Sequence, residues 1–190
     1  YYLFHCYYGQ KEADRENVMK GKEALLTGIE KFPKNERILD GLMQLYTSEE
    51  GVGDPADLVN RIDGMLAENP ENVDLWFGRG RTFYALKNYD ESIASFHKVV
   101  ELKPDLFEGN YYLGIFYTIK GDAANTEINA KQYSSQAAYD EDLKAVNAIY
   151  MQAVPWLEKA YAINPSHADT LEYLKQLCFR LRDEEGMMEK

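Results

Sequence analysis

The stretch Val73–Pro104, VDLWFGRGRTFYALKNYDESIASFHKVVELKP, constrains this chain more than any other. Trp76, Gly80, Phe83 and Leu86 recur at helical spacing in its first half, as do Ile93, Phe96, Val99 and Val100 in its second. Lys87-Asn88 separates the halves, Asn88 or Asp90 is placed to cap the second, and Pro104 stops it from running far beyond Leu102. Gly80 has no Cβ and lets a neighbouring helix come close. A lone helical hairpin leaves both its faces apolar, so it needs further hairpins stacked on either side.

Such hairpins recur. Closing prolines stand at Pro33, Pro70, Pro104 and Pro165, with spacings of 37, 34 and 61 residues, the last being one 34-residue unit plus 27 more. The central unit resembles the tetratricopeptide repeat (TPR), whose signature is W-x2-L-G-x2-Y…A-x3-F…P. Trp76, Gly80, Phe83, Tyr89, Phe96 and Pro104 hold signature positions, while Arg79 replaces the leucine and Ser92 the alanine. The next unit supplies Leu113, Gly114 and Tyr117 and then, after an interruption, Tyr150, Ala153, Leu157, Ala160 and Pro165. The resemblance implies an all-α protein, a right-handed α-solenoid of antiparallel helix pairs, forming one TPR-like domain over 1–190.

The units divide at about 1–35, 36–72, 73–106 and 107–167. In the first, Tyr8-Gly9 aligns with the leucine-glycine pair and Asn17–Phe32 forms the second helix. The second unit gives helices over Arg37–Glu49 and Ala56–Glu68, the latter turning Leu58, Ile62, Met65 and Leu66 inward. In the fourth, the insertion 123–149 contains neither Gly nor Pro and spaces Ile128, Tyr133, Leu143, Val146 and Ile149 at roughly helical intervals. Structureless loops of this length are uncommon in compact domains. The insertion is therefore expected to lengthen both helices, with a turn inside Gln132–Asp140 capped by Ser134, Ser135 or Asp140. Pro155 is expected to kink the second arm near Met151. Leu171, Leu174, Leu177, Cys178 and Leu181 predict a C-terminal capping helix over 168–182, with Asp183–Met188 as the opening of a further helix in the alternative. Gly80 and Gly114 are expected to be helix contact points, and Gly121 to tolerate alanine.

Chemistry is sparse. His5, His97 and His167 are isolated, no phosphate-binding loop or nucleophile elbow appears, and Asp140-Glu141-Asp142 reads as acids at a helix start. Nothing reads as an enzyme, a metal site or a cofactor site. Cys6 and Cys178, at opposite ends of the sequence, read as small buried residues or free thiols. A net charge of −11 disfavours nucleic acid and anionic membranes and selects a basic partner if it selects any. No run approaches the ~20 apolar residues of a membrane span. The sequence opens on Tyr1 and not on methionine. Localisation stays open, with the bacterial periplasm or envelope ahead of the cytoplasm if an upstream signal was removed.

What remains is a surface. The resemblance implies that positions 2, 5, 9, 12 and 13 of each first helix line a concave groove. Repeat two then offers Asp40, Met43, Thr47 and Glu50; repeat three Asp74, Phe77, Arg81, Tyr84 and Ala85; repeat four Glu108, Tyr111, Ile115, Thr118 and Ile119. These residues either face a partner or pack against a neighbouring repeat, with Trp76, Gly80, Phe83, Leu113, Gly114 and Tyr117 as a separate set for the core. The carboxylate clamp of one co-chaperone subfamily is absent, since position 5 reads Cys6, Met43, Phe77 and Tyr111. The expected function is a non-catalytic protein–protein interaction scaffold binding a peptide or protein with apolar and basic residues, with self-association through the 123–149 arm as a further use. The alternative is an accessory glycan-handling module of a cell-envelope assembly, in which Phe77, Tyr84 and Tyr111 stack on sugars.

Overall fold

Short polar turns punctuate the chain, and the apolar periodicity between them folds into helices. The computed structural model describes residues 1–11, 14–49 and 51–181, with only the backbone described at Glu36, Thr47 and Ser48. Among these residues there are nine helices and no strand: α1 (Tyr2–Tyr8), α2 (Glu16–Lys31), α3 (Glu36–Ser48), α4 (Ala56–Glu68), α5 (Val73–Ala85), α6 (Tyr89–Leu102), α7 (Phe107–Ala130), α8 (Gln136–Ile163) and α9 (Ala168–Arg180). The fold is all-α and of the helical-repeat solenoid class. The helices gather into two compact units, Tyr1–Leu102 and Lys103–Lys190.

In the first unit α2 packs on α1 and α3, while α5 packs on α3, α4 and α6. Asn35 and Asn72 cap α3 and α5 through their side-chain oxygens, and Asn88 accepts the Glu91 N–H to start α6. Between α5 and α6 the turn places Lys87 at φ 58°, a left-handed conformation unfavourable for a side chain with a Cβ. Leu25, Ile29, Leu42, Leu45, Leu58 and Ile62 are fully enclosed. Tyr8-Gly9 does not take the role of the leucine-glycine pair. With only seven residues in α1, Gly9 falls at its C-cap. The close approach is made instead by Phe4 against Gly21 of α2 and Gly41 of α3.

α5 and α6 meet at Gly80. A Cβ there would land on the Phe96 ring, and the Ser92 hydroxyl donates to the Gly80 carbonyl at 2.8 Å. Ser92, in the place of the usual alanine, thus fills the same small space and adds a buried hydrogen bond. Gly78 lies against the Pro33 carbonyl, 2.6 Å from where its Cβ would be, so α5 is closely packed on two sides. Trp76 and Phe83 are only half-buried. The Arg79 guanidinium lies 4.5 Å from the Phe83 ring centroid and pairs with Asp63 at 2.7 Å and Glu91 at 3.0 Å.

In the second unit α7 and α8 run antiparallel: Gly114 faces Leu157, Gly121 faces Tyr150, and Asn129 meets Tyr139. The insertion is helical on both sides of a turn at 131–135, and Ser135 caps α8 by accepting the Ala138 N–H. Ile128 and Val146 are buried between the arms, and Tyr133 and Tyr139 pack edge to face at 5.3 Å. Near the tip Asp142 accepts from Lys131 at 2.6 Å and Tyr133 at 2.8 Å, and these two bonds hold its carboxyl below the usual range. Pro155 lies inside α8.

Gly121 is a contact point and not a tolerant site. An added methyl would stand 2.5 Å from the Tyr150 ring, which is enclosed and held by a 2.7 Å hydrogen bond to Asp122. Arg180 of α9 reaches the same Asp122 and covers the Tyr150 ring at 5.0 Å. α9 buries Leu177 and Leu181, leaves Leu171 39% exposed and holds Leu174 half-buried. The expected inward stripe is therefore rotated. Cys178 faces solvent, as does Cys6, and both are free thiols, which removes the buried reading of these residues. Asp183–Met188 lies outside the described residues.

A tie recurs at the repeat junctions. The Trp76 indole N–H donates to the Pro70 carbonyl at 2.7 Å, and the Asn110 amide donates to the Pro104 carbonyl at 2.8 Å. Each donor stands six residues after the closing proline, so the same register fixes the entry to α5 and to α7.

Candidate functional site

The groove positions expected from the sequence fall into two sets, one in each unit. In the first unit, capping by Asn35 and Asn72 sets the start of α3 and α5, and α3 packs against α5. Asp40 and Arg81 consequently meet across the two helices at 3.5 Å. Asp40 and Asp74 are exposed, Tyr84 is half-buried, and its ring lies 6.4 Å from that of Tyr89. All four side chains keep some access to solvent, Arg81 and Tyr84 less than the two acids. Thr47 and Glu50 carry no described side chain.

Met43 and Phe77 do not stand beside them. Met43 is 9% exposed and belongs to the core cluster of the first unit. Phe77 is 1% exposed, edge-on to Phe96 at 5.1 Å, with the Lys34 ammonium 5.3 Å from its ring centroid. Because α5 packs on both sides, its fifth position belongs to the interior.

In the second unit Thr118 and Ile115 are also buried, and the Thr118 hydroxyl turns back to the Gly114 carbonyl at 2.9 Å. A threonine hydroxyl satisfied one turn back in its own helix offers nothing to a ligand. Glu108 and Tyr111 are half-buried. Tyr111 stacks on Phe107 at 5.5 Å and 12°, with His167 at 4.8 Å, Tyr112 at 5.5 Å and Tyr173 at 6.4 Å also against its ring. Burial, with the Asp169 charge adding to it, pushes the Tyr111 phenol up to about 12. It stays protonated at neutral pH and contributes an apolar ring with a neutral hydroxyl. His167 is the partner that sequence reasoning missed. Phe107 and Tyr111 at i, i+4 signal an aromatic face, but the residue that completes it arrives 56 positions after Tyr111.

Among the described residues no group of His, Cys, Asp or Glu is arranged to hold a metal ion, and no helix is long and apolar enough to cross a membrane. A 370 Å³ cavity between α1 and α2 is lined by Leu3, Tyr7, Lys20, Glu23, Ala24 and Thr27, without a convergent polar constellation.

Residues 73–106 match the tetratricopeptide repeat family. The chain thus carries a tetratricopeptide repeat at its centre, within an all-α helical-repeat fold. A solved protein-binding protein from Bacteroides ovatus ATCC 8483 shares the fold with a TM-score of 0.54 and 16% identity, over 95% of this chain and 96% of that one. A tetratricopeptide repeat protein from Parabacteroides merdae ATCC 43184 aligns at 16% identity over 95% of this chain and 72% of that one, with a TM-score of 0.37. MamA aligns at 14% identity over 95% and 91%, with a TM-score of 0.38. The two lower scores add nothing to the fold assignment. No curated protein matches the chain in sequence.

Proposed function

We propose that this protein is an interaction scaffold that binds a partner protein or peptide through the exposed faces of its first-type helices. The observation that carries the reading is the solvent-facing set Asp40, Asp74, Arg81 and Tyr84 on α3 and α5, held in register by helix caps and by the Asp40–Arg81 pair. It is mixed in character, with two acids, one cation and one aromatic. An aromatic flanked by charges is the composition that supplies anchor energy and selectivity at protein interfaces. Repeat domains present such surfaces as a matter of architecture, and the solved Bacteroides ovatus protein of the same fold is described as protein-binding.

The partner we infer carries one or two large apolar residues flanked by Lys or Arg. Asp40 and Asp74 set this preference together with the net charge of −11. The buried Met43 and Phe77 take no direct part in it; they pack the interior behind α3 and α5, while Ile115 and Thr118 are buried in the second unit. Glycan stacking is less well supported, because Phe77 is enclosed and one face of Tyr111 is covered by Phe107.

A peptide array of apolar segments with basic flanks, probed with the purified chain, tests the proposal. Binding is expected for basic-flanked segments and not for their acid-flanked counterparts. Tyr84→Ala should weaken it by more than about 1 kcal/mol, and Asp74→Asn should mainly flatten its salt dependence. Equal binding to both classes would remove the charge selection on which the reading depends.

A further inference from the structure

Helix α9 is started in a way that no other described helix is. α3, α5, α6 and α8 take their side-chain caps from Asn35, Asn72, Asn88 and Ser135, groups that do not change charge, and the first amides of α2 and α4 are met by the carboxylates of Asp14 and Asp54. α9 takes its cap from an imidazole: His167 Nδ1 accepts the Thr170 N–H at 3.3 Å and lies 2.9 Å from the Thr170 hydroxyl. Thr170 is fully enclosed, so its N–H has no route to water if that acceptor is lost. The same ring packs edge-on against Phe107 and Tyr111 of α7, each at 4.8 Å.

We propose that His167 is a proton-sensitive cap that controls how firmly α9 is held on α7 and α8. The neutral ring with its proton on Nε2 offers Nδ1 as the acceptor. A proton arriving at Nδ1 turns the acceptor into a donor. The Thr170 hydroxyl can rotate to accept from it, but the Thr170 amide is then buried without a partner. The added positive charge also stands at a helix N-terminus, where the amide dipoles oppose it. The groups around the ring are Tyr111 from α7, with Glu108 following Phe107, and Asp169 and Tyr173 from α9. Asp169, in the first turn of α9, and Glu108, in the first turn of α7, carry charge that favours the cation, against the lost cap and the helix dipole. The cap is complete while Nδ1 is free to accept and is lost once Nδ1 carries a proton.

Nitrogen-15 spectra of the histidine rings at pH 8 give the first test and need no variant. His167 should be the Nε2–H tautomer, and finding it as the Nδ1–H tautomer would overturn the proposal. Hydrogen exchange gives the second, once corrected for the intrinsic pH dependence of exchange. Protection of the Thr170 amide and its neighbours in α9 should fall roughly five-fold, the usual worth of a cap, between pH 8 and pH 5.5. In His167→Asn or His167→Ser, whose caps do not titrate, the drop should vanish. An identical drop in both variants would overturn the proposal, as would no drop in the wild type.

Discussion

At the scale of single residues, the packing of glycines separates what sequence reveals from what it hides. Gly80 is legible because its neighbours Trp76, Phe83 and Phe96 spell out a repeat register. Gly121 is not, because the Tyr150 ring it accommodates comes from α8 at a distance of 29 residues. Both substitutions Gly80→Leu and Gly121→Ala should overpack, each lowering stability by roughly 1–3 kcal/mol. Urea unfolding of the two variants checks this. A harmless Gly121→Ala would mean that Tyr150 and Asp122 are not locked together as described. Lys87, at φ 58°, carries strain that glycine would release. Lys87→Gly should therefore raise stability by up to about 1 kcal/mol, the gain being reduced by the greater freedom of glycine in the unfolded chain. Phe77 shows the limit of residue-level reasoning: its position in the repeat suggests a groove wall, and the close packing of α5 against neighbours on two sides encloses it.

Helices as units were more legible than their faces. The second unit illustrates both sides. A run without Gly or Pro, with Ile128, Leu143 and Val146 spaced helically, suffices to reveal the long α7–α8 hairpin; the expected turn window Gln132–Asp140 overlaps the observed 131–135 but runs on into the first turn of α8. In α9 the sequence offers apolar residues on several sides, and only contact with α8 and α7 selects Leu177 and Leu181 over Leu171 and Cys178. Limited proteolysis should cut the hairpin within 131–135 while sparing Ala123–Ala130 and Gln136–Ile149, and scattered cutting along both arms would contradict a packed pair. Replacing residues 124–148 by a short turn, with Asp122 and Tyr150 retained, should leave a cooperatively folding helical protein. Circular dichroism and thermal unfolding would show it. Tyr150→Phe should loosen the α7–α8 pair, because the part-buried hydrogen bond to Asp122 disappears, while α9 keeps its tie through Arg180, with a cost of about 1 kcal/mol.

For the whole molecule, the sequence made the repeat class readable and the partner surface only partly so. The register that identifies a repeat is carried by local spacing, whereas exposure of a groove position depends on how many neighbours its helix acquires. Asp40 and Asp74 are exposed and Arg81 and Tyr84 half-buried, whereas Met43, Phe77, Ile115 and Thr118 are enclosed. The acid excess gives the remaining surface its sign. The most direct measurement is the affinity of a basic-flanked apolar peptide selected on the array, determined by fluorescence anisotropy for the wild type and for the Asp74→Asn, Tyr84→Ala double variant at two salt concentrations. Affinity should fall at least about ten-fold in the variant, and its salt dependence should flatten, with helicity and thermal midpoint unchanged. Unaltered affinity and unaltered salt dependence in a folded variant would contradict the assignment of the α3–α5 surface as the place where this scaffold holds its partner.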